Sequence, residues 1–211
     1  MHLVSLNIAQ VQTVQHNGKP VRTGIFKVPV EGPRAVAALG IDGDEQADLK
    51  HHGGEDKAVY GYPAEHYPTW AAELGQDYFP PGQFGENLTT TGLLEDRVCI
   101  GDIYRIGGVA LQVTQPRVPC AKLAMKMGLP TFLKTFLASG RSGFYFRVLE
   151  PGTLQAGDDI TLEEPGPGAV TVLRANRLRH FETGDRDGIE AVLAVPALSA
   201  TWRAEFERLL G

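Results

Sequence analysis

GDIYRIGGVALQVTQPRVPCAKL, residues 101–123, joins the end of one β-branched run (97–106) to a second (109–115) across Gly107-Gly108. The runs read as strands, the glycine pair as the turn between them, and Pro116 as the stop of the second strand. Residues 121–127 then follow a helical pattern that Gly128 ends. The flanking chain repeats this grammar. Residues 2–15 alternate as a strand, Asn17-Gly18 is a hairpin signal, and 21–30 (VRTGIFKVPV) return as its partner up to Gly32-Pro33. Further strands are expected at 34–41, 142–149 and 159–164, with turn chemistry at Gly101-Asp102 and Gly157-Asp158. Short strands divided by such turns predict a mainly β fold, a barrel or sandwich, and not a parallel βαβ sheet.

Short helices interrupt the strands: 62–74 between Pro63 and Gly75, 121–127, and 131–139 ended by Gly140. After EEPGPGA (163–169) the period becomes helical, in TVLRANRLRHF, RDGIEAVLAV and SATWRAEFERLL. This divides the chain into a β domain, 1–165, and a three-helix appendage, 170–211. A unit that small buries too little apolar surface to stand alone, so it is expected to pack on the β domain.

Composition narrows the function. The 211 residues hold 20 Lys+Arg and 25 Asp+Glu, a formal charge of −5, so no global basic field exists to hold nucleic acid. The two cysteines, Cys99 and Cys120, imply no disulfide framework and cannot supply the four thiolates of a usual iron–sulfur cluster. Electrons for any redox chemistry must therefore come from another protein. MHLVSLNIAQVQ lacks the basic start and apolar run of a signal peptide, and no apolar stretch approaches the ~20 residues of a membrane span. A cytoplasmic setting without membrane contact is the expectation.

Four groups of residues carry chemistry. In DLKHHGGEDKAVYGY (48–62), Gly53-Gly54 lets backbone approach an anion, with Lys50 and Lys57 as flanking cations. Asp42, Asp44, Asp48 and Asp56 are acceptors that could orient a histidine or a polar ring; the bland alternative is a tight loop capped by aspartates. In QPRVPCAKL (115–123), Cys120 stands at the start of a helix beside Arg117 and Lys122, a setting that favours a thiolate. Cys99, between Val98 and Ile100 with no adjoining cation, reads as packing. FGENLT (84–89) is either a hairpin corner capped by Asn87 or part of a site. Lys27, Arg34, Arg141 and Arg147 are scattered cations, several of which a phosphate-bearing ligand would need to converge. Zinc has weak support: His51, His52, His66 and Cys120 are donors, but no Cys-x-x-Cys or His-x-x-x-His occurs.

Taken together, GIFKVPVEGP (24–33), GIDGDEQADLKHHGGEDKAVYGYPAEHYPTW (40–70), FGENL (84–88), GDIYRIG (101–107), QPRVPCAKL (115–123) and RSGFYFRVLEPG (141–152) resemble the MOSC (molybdenum cofactor sulfurase C-terminal) domain family, in its stand-alone YiiM-type bacterial form. The resemblance implies a β-barrel whose motif cysteine, Cys120, ligates molybdenum in the pterin-based molybdenum cofactor. It further implies that Lys27, His52, Gly53, Gly54, Lys57, Asn87 and Arg117 line the cofactor pocket, with loops 48–57, 84–88 and 116–120 converging. Members of this type reduce N-hydroxylated compounds, including hydroxylamino base analogues, to amines, so Cys120 and His52 become the expected catalytic residues, His52 as a proton donor. A separate flavin- or iron–sulfur-containing reductase would supply electrons. Two other readings stay open: a carrier of the cofactor or its sulfur, with Cys120 as a persulfide, and a zinc or thiol hydrolase. The helical tail is compatible with a homodimer, which no residue specifies.

Overall fold

The computed structural model describes residues 1–48 and 53–211. Its strands are β1 (His2–Ile8), β2 (Gln12–His16), β3 (Lys19–Thr23), β4 (Val28–Pro29), β5 (Arg34–Ala37), β6 (Gly40–Ile41), β7 (Val59–Pro63), β8 (Leu88–Thr91), β9 (Ile103–Ile106), β10 (Val109–Pro116), β11 (Phe144–Glu150), β12 (Gly152–Leu154) and β13 (Ile160–Glu164). Its helices are α1 (His66–Glu73), α2 (Ala121–Met127), α3 (Phe132–Ser139), α4 (Val172–His180), α5 (Arg186–Leu193) and α6 (Ala200–Leu210). Eight strands form one sheet in the order β13-β9-β10-β11-β7-β8-β1-β4, beside a three-stranded sheet β12-β5-β6 and the hairpin β2-β3.

The hairpin signals hold. Val109 pairs with Ile106 across Gly107-Gly108, and Asn17-Gly18 turns β2 into β3 with both φ angles positive. The long runs expected at 2–15, 21–30 and 34–41 each break in two, because side-chain and loop contacts compete with the ladder. At the first break Ala9 donates its N–H to Asp44 and accepts one from Glu45, which turns the chain away. The run expected from 97 shortens to Ile103–Ile106, since Asp102 accepts from the backbone of Cys99 and Gly166.

One expectation is corrected, and another is met only in part. The sheet is mixed, because β7 and β8 pair in parallel, Gly61 opposite Leu88, with α1 as the crossover between them. Near the two ends of the sheet, β1 meets the start of β13 in the bridge His2–Asp159 and in backbone hydrogen bonds from Leu3 N–H to Asp158 C=O at 2.9 Å, Gly157 N–H to Leu3 C=O at 2.8 Å and Ile160 N–H to Met1 C=O at 2.9 Å. A continuous barrel ladder is not present among the described strands.

Strand alternation sorts the core into two. Val59, Phe144 and Phe146 point to one face, where they join Leu111, Val113 and residues of all three C-terminal helices. Tyr60, Tyr62 and Tyr145 point to the other face and build an aromatic cluster with Trp70, Phe84, Phe132 and Phe136. Gly61 allows the close approach of Phe146, whose ring a Cβ at 61 would meet at 2.8 Å. The C-terminal helices thus share the β domain's core, as expected, through fully buried side chains such as Trp202 and Phe206. Each such side chain contributes about 1.5–3 kcal/mol. Among the described residues, no helix is long and apolar enough to cross a membrane.

Candidate functional site

On the aromatic face of the sheet lies a cavity of about 80 Å³ that opens to solvent. Lys27, Lys57, Asn87, Arg117 and Cys120 all line it, although they span more than ninety positions of sequence. Loops 48–57, 84–88 and 116–120 converge there, through Asp48, Lys57, Gly85, Asn87, Arg117 and Cys120. Four cationic side chains (Lys27, Lys57, Arg117, Lys122) face two carboxylates, Glu45 and Asp48. A chain of net negative charge has concentrated positive charge at one place.

Two residues of this wall, Lys27 and Asn87, are tied together through Asp44. Asp44 accepts from the Lys27 ammonium and from Ala9 N–H with one oxygen, and from the Asn87 amide at 2.9 Å with the other. Asn87 also donates to Asn7 C=O and accepts Tyr60 N–H at 3.2 Å. Its side-chain N–H groups are therefore taken by the chain itself, so Asn87 holds the cavity's walls together and sets the position of Lys27 through Asp44. Burial lowers the Lys27 pKa despite this carboxylate, and burial likewise lowers that of Lys57 against the pull of Asp56.

Arg117 follows directly from β10. Its N–H donates to Gly143 C=O at 3.2 Å, and its guanidinium stacks on Tyr60 at 5.0 Å and Phe136 at 5.7 Å. The residue is 4% exposed, and its Nη1 has no hydrogen-bond partner among the described residues. Burial opposes the charge, yet the neighbouring Tyr60, Tyr145 and Cys120 raise its pKa overall, so it stays a cation. Burial also holds Tyr60 and Tyr145 neutral. Cys120 occupies the N-cap of α2 in extended geometry and borders both this cavity and a second one of about 370 Å³. Neither cysteine is in a disulfide. Cys99 is half-buried, and burial, aided by Asp102, pushes its thiol up.

The glycine loop is only partly in view. His51 and His52, with Leu49 and Lys50, lie outside the described residues. Gly54 has φ 92°, a conformation that favours glycine, and starts the 3-10 turn Glu55–Lys57 that delivers Lys57; neither glycine lines the cavity. Asp56 pins this turn. It pairs with Arg147 of β11 and accepts Ala200 N–H of α6 at 3.1 Å. The expected convergence of scattered cations fails beyond Lys27. Arg141 pairs with Glu73 and covers the Trp70 ring, Arg147 is taken by Asp56, and Arg34 sits in β5. His66 pairs with buried Glu95, away from the cavity. Among the described residues, no group of three or more His, Cys, Asp or Glu is arranged to hold a metal ion.

Sequence reasoning singled out Glu86 in FGENLT without a role and passed over Lys126. Glu86 is fully buried and accepts from Gly82 and Phe84 N–H and from the Tyr67 and Thr89 hydroxyls, so FGENL is in part the capped corner that its bland reading suggested. Lys126 bolts α2 to the loops by donating to Ile25 and Gly82 C=O at 3.0 and 2.6 Å. Burial brings it down to about 8. A buried lysine in a short amphipathic helix resembles any exposed one in sequence, so no pattern marked it.

Comparison with known proteins matches residues 48–161 to the MOSC domain and residues 170–210 to the YiiM-like, 3-alpha helix domain. The Bacillus subtilis (strain 168) protein YflK is 43% identical over 204 residues, covering 97% of this chain and 92% of YflK. A Gibberella moniliformis protein named reductase is 41% identical over 169 residues, covering 77% of this chain but 30% of its own length. The crystal structure of YiiM from Geobacillus stearothermophilus superposes with a TM-score of 0.86 at 40% identity, covering 100% of this chain and 99% of that one.

Proposed function

The chain belongs to the MOSC domain family, and from that premise we propose that it holds the molybdenum cofactor in the first cavity through Cys120 and reduces N-hydroxylated compounds to amines. The observation that carries this reading is Arg117 Nη1: a buried donor with no partner among the described residues, on a cation that lines the same cavity as Cys120. A buried guanidinium left short of an acceptor is costly unless an anion completes it. A phosphate-bearing pterin fits that demand, with Lys27 and Lys57 as further cations and Tyr60 and Tyr145 as flat walls. Cys120 supplies the single soft ligand. When bound, the cofactor supplies a two-electron redox centre with room for an oxygen-bearing substrate.

The net reaction is R–NHOH + 2 e⁻ + 2 H⁺ → R–NH₂ + H₂O, in which the N–O bond breaks and nitrogen is reduced. Electrons come from a separate reductase, because the chain's two cysteines cannot hold a cluster. His52 is proposed as a proton donor on its sequence position beside Gly53. The reductase name of the fungal relative supports the class of reaction, within a match to less than a third of that protein's length. The second cavity on Cys120 favours an enzyme over a sulfur carrier, since a persulfide carrier needs no small-molecule cleft. The test is dithionite-driven turnover of a hydroxylamino purine by protein made in a host that synthesises the cofactor. Amine formed catalytically supports the enzyme; protein loaded with molybdenum that forms none favours the carrier.

A further inference from the structure

LLEDRV (93–98) turns back on itself, with Arg97 and Val98 N–H both reaching Leu94 C=O, at 3.0 and 2.9 Å. Leu93 and Val98 go to the core and Asp96 and Arg97 to solvent, while Glu95 turns inward and is 4% exposed. It lines neither cavity. We propose that Glu95 is the positioning residue of Arg117, acting through Gly143, with His66 as its second tether. The proposal deepens the reading above and rests on Arg117 receiving an anion.

A carboxylate taken out of water is costly unless donors complete it. Glu95 Oε1 accepts Gly143 N–H at 2.7 Å, and Oε2 pairs with His66 Nε2 of α1 at 2.7 Å. Its own C=O takes Leu173 N–H of α4 at 2.8 Å. The acid is thus held from a helix of the β domain and from the first helix of the appendage. A group fixed in this way also fixes what it binds.

What it binds is the turn beneath the cation. Gly143 C=O accepts Arg117 N–H at 3.2 Å and the Ser142 hydroxyl at 2.8 Å. Ser142 C=O accepts the hydroxyl of Tyr60 at 2.8 Å, and Tyr60 is the ring on which the Arg117 guanidinium lies. One short turn therefore places both the backbone of Arg117 and the aromatic plate under its side chain. The turn is tightly enclosed: a Cβ on Gly143 would meet Gly61 C=O at 2.4 Å and the Tyr60 and Tyr62 rings at 2.8 and 2.9 Å. Without Glu95, the Gly143 N–H would need another acceptor, and the turn would shift to find it.

Glu95→Leu removes both side-chain bonds, His66→Ala removes only the second tether, and Glu95→Gln keeps an acceptor for Gly143 N–H. In the metal-free protein the Arg117 Nε–Hε NMR signal should shift and broaden in Glu95→Leu and do so less in His66→Ala. The Trp202 indole signal should stay where it is in both. Inorganic phosphate should bind Glu95→Leu about tenfold more weakly than wild type, and Glu95→Gln should recover most of that loss, to within about threefold. An Arg117 signal unchanged in Glu95→Leu, or in His66→Ala should the leucine variant fail to fold, would overturn the proposal. So would a Trp202 signal that moves with Arg117, which marks a packing residue, or a loss in Glu95→Gln as large as in Glu95→Leu. Phosphate that shifts Arg117 in no protein, wild type included, counts against the cofactor reading instead; the phosphate-free signal then decides the role of Glu95 by itself.

Discussion

Arg117 sits between two aromatic rings with part of its guanidinium unpaired, a situation that stability alone does not favour. Arg117→Met is therefore expected to leave the urea midpoint of the metal-free protein within about 1 kcal/mol of wild type, while cofactor retention falls about tenfold or more. Equal losses of stability and retention would mark a packing residue. Gly143 makes the opposite prediction. Its φ is 61°, and a Cβ there would stand 2.4 Å from Gly61 C=O. Because Gly143 C=O also receives Arg117 N–H, Gly143→Ala should cost at least about 2 kcal/mol in urea denaturation and weaken the site as well. At this scale the sequence announced much. Cys120, Lys57 and Arg117 stood out because glycine, proline and charge lie within a few residues of each, whereas Lys27 and Asn87 entered only through the family resemblance; the cavity gathers all five. Glu95 and Lys126 did not stand out, because what sets them apart is burial, and burial is decided by distant strands.

Among the elements, the 3-10 turn after the glycine pair and the start of α6 are coupled through Asp56. Asp56→Ala strands the Arg147 guanidinium and an N-terminal amide of α6, which should cost about 2–3 kcal/mol and speed hydrogen exchange at Ala200 and Thr201. Helix α4 carries a pH-dependent contribution. Burial, helped by the adjacent Arg179 charge, lowers His180 to about 4, and Arg179 donates to its ring at 3.2 Å. The unfolded chain takes up that proton near pH 6.5, so stability is full above that value and is lost as pH falls towards 4. With half the ring screened by solvent, the loss is about 1 kcal/mol, and His180→Gln should flatten the slope of urea midpoints between pH 7 and pH 5. Element type was well anticipated where glycine ended a helix or turned a hairpin, as at Gly128, Gly140 and Asn17-Gly18. The strands β7 and β8 were missed because VYGYP and LTTT lack alternation: both of their faces are buried.

Across the molecule, one core joins the sheet to the C-terminal helices, although the linker EEPGPGA suggested a boundary. Far-UV circular dichroism and tryptophan fluorescence should therefore report a single coincident unfolding transition, with Trp70 in the aromatic cluster and Trp202 in the helices as the two fluorophores. The mainly β reading and the helical tail follow from local pattern, whereas the parallel β7–β8 pair and the contact of β1 with the start of β13 depend on distant residues that no short window contains. The arrangement that results gathers cations and one sulfur at a single cavity in an acidic chain. Molybdenum quantified in the purified protein, beside Cys120→Ala from the same cofactor-producing host, decides whether that cavity is a cofactor site: about one metal per wild-type chain and a tenth or less in the variant is expected. Equal molybdenum in the two, or none in either, would refute it.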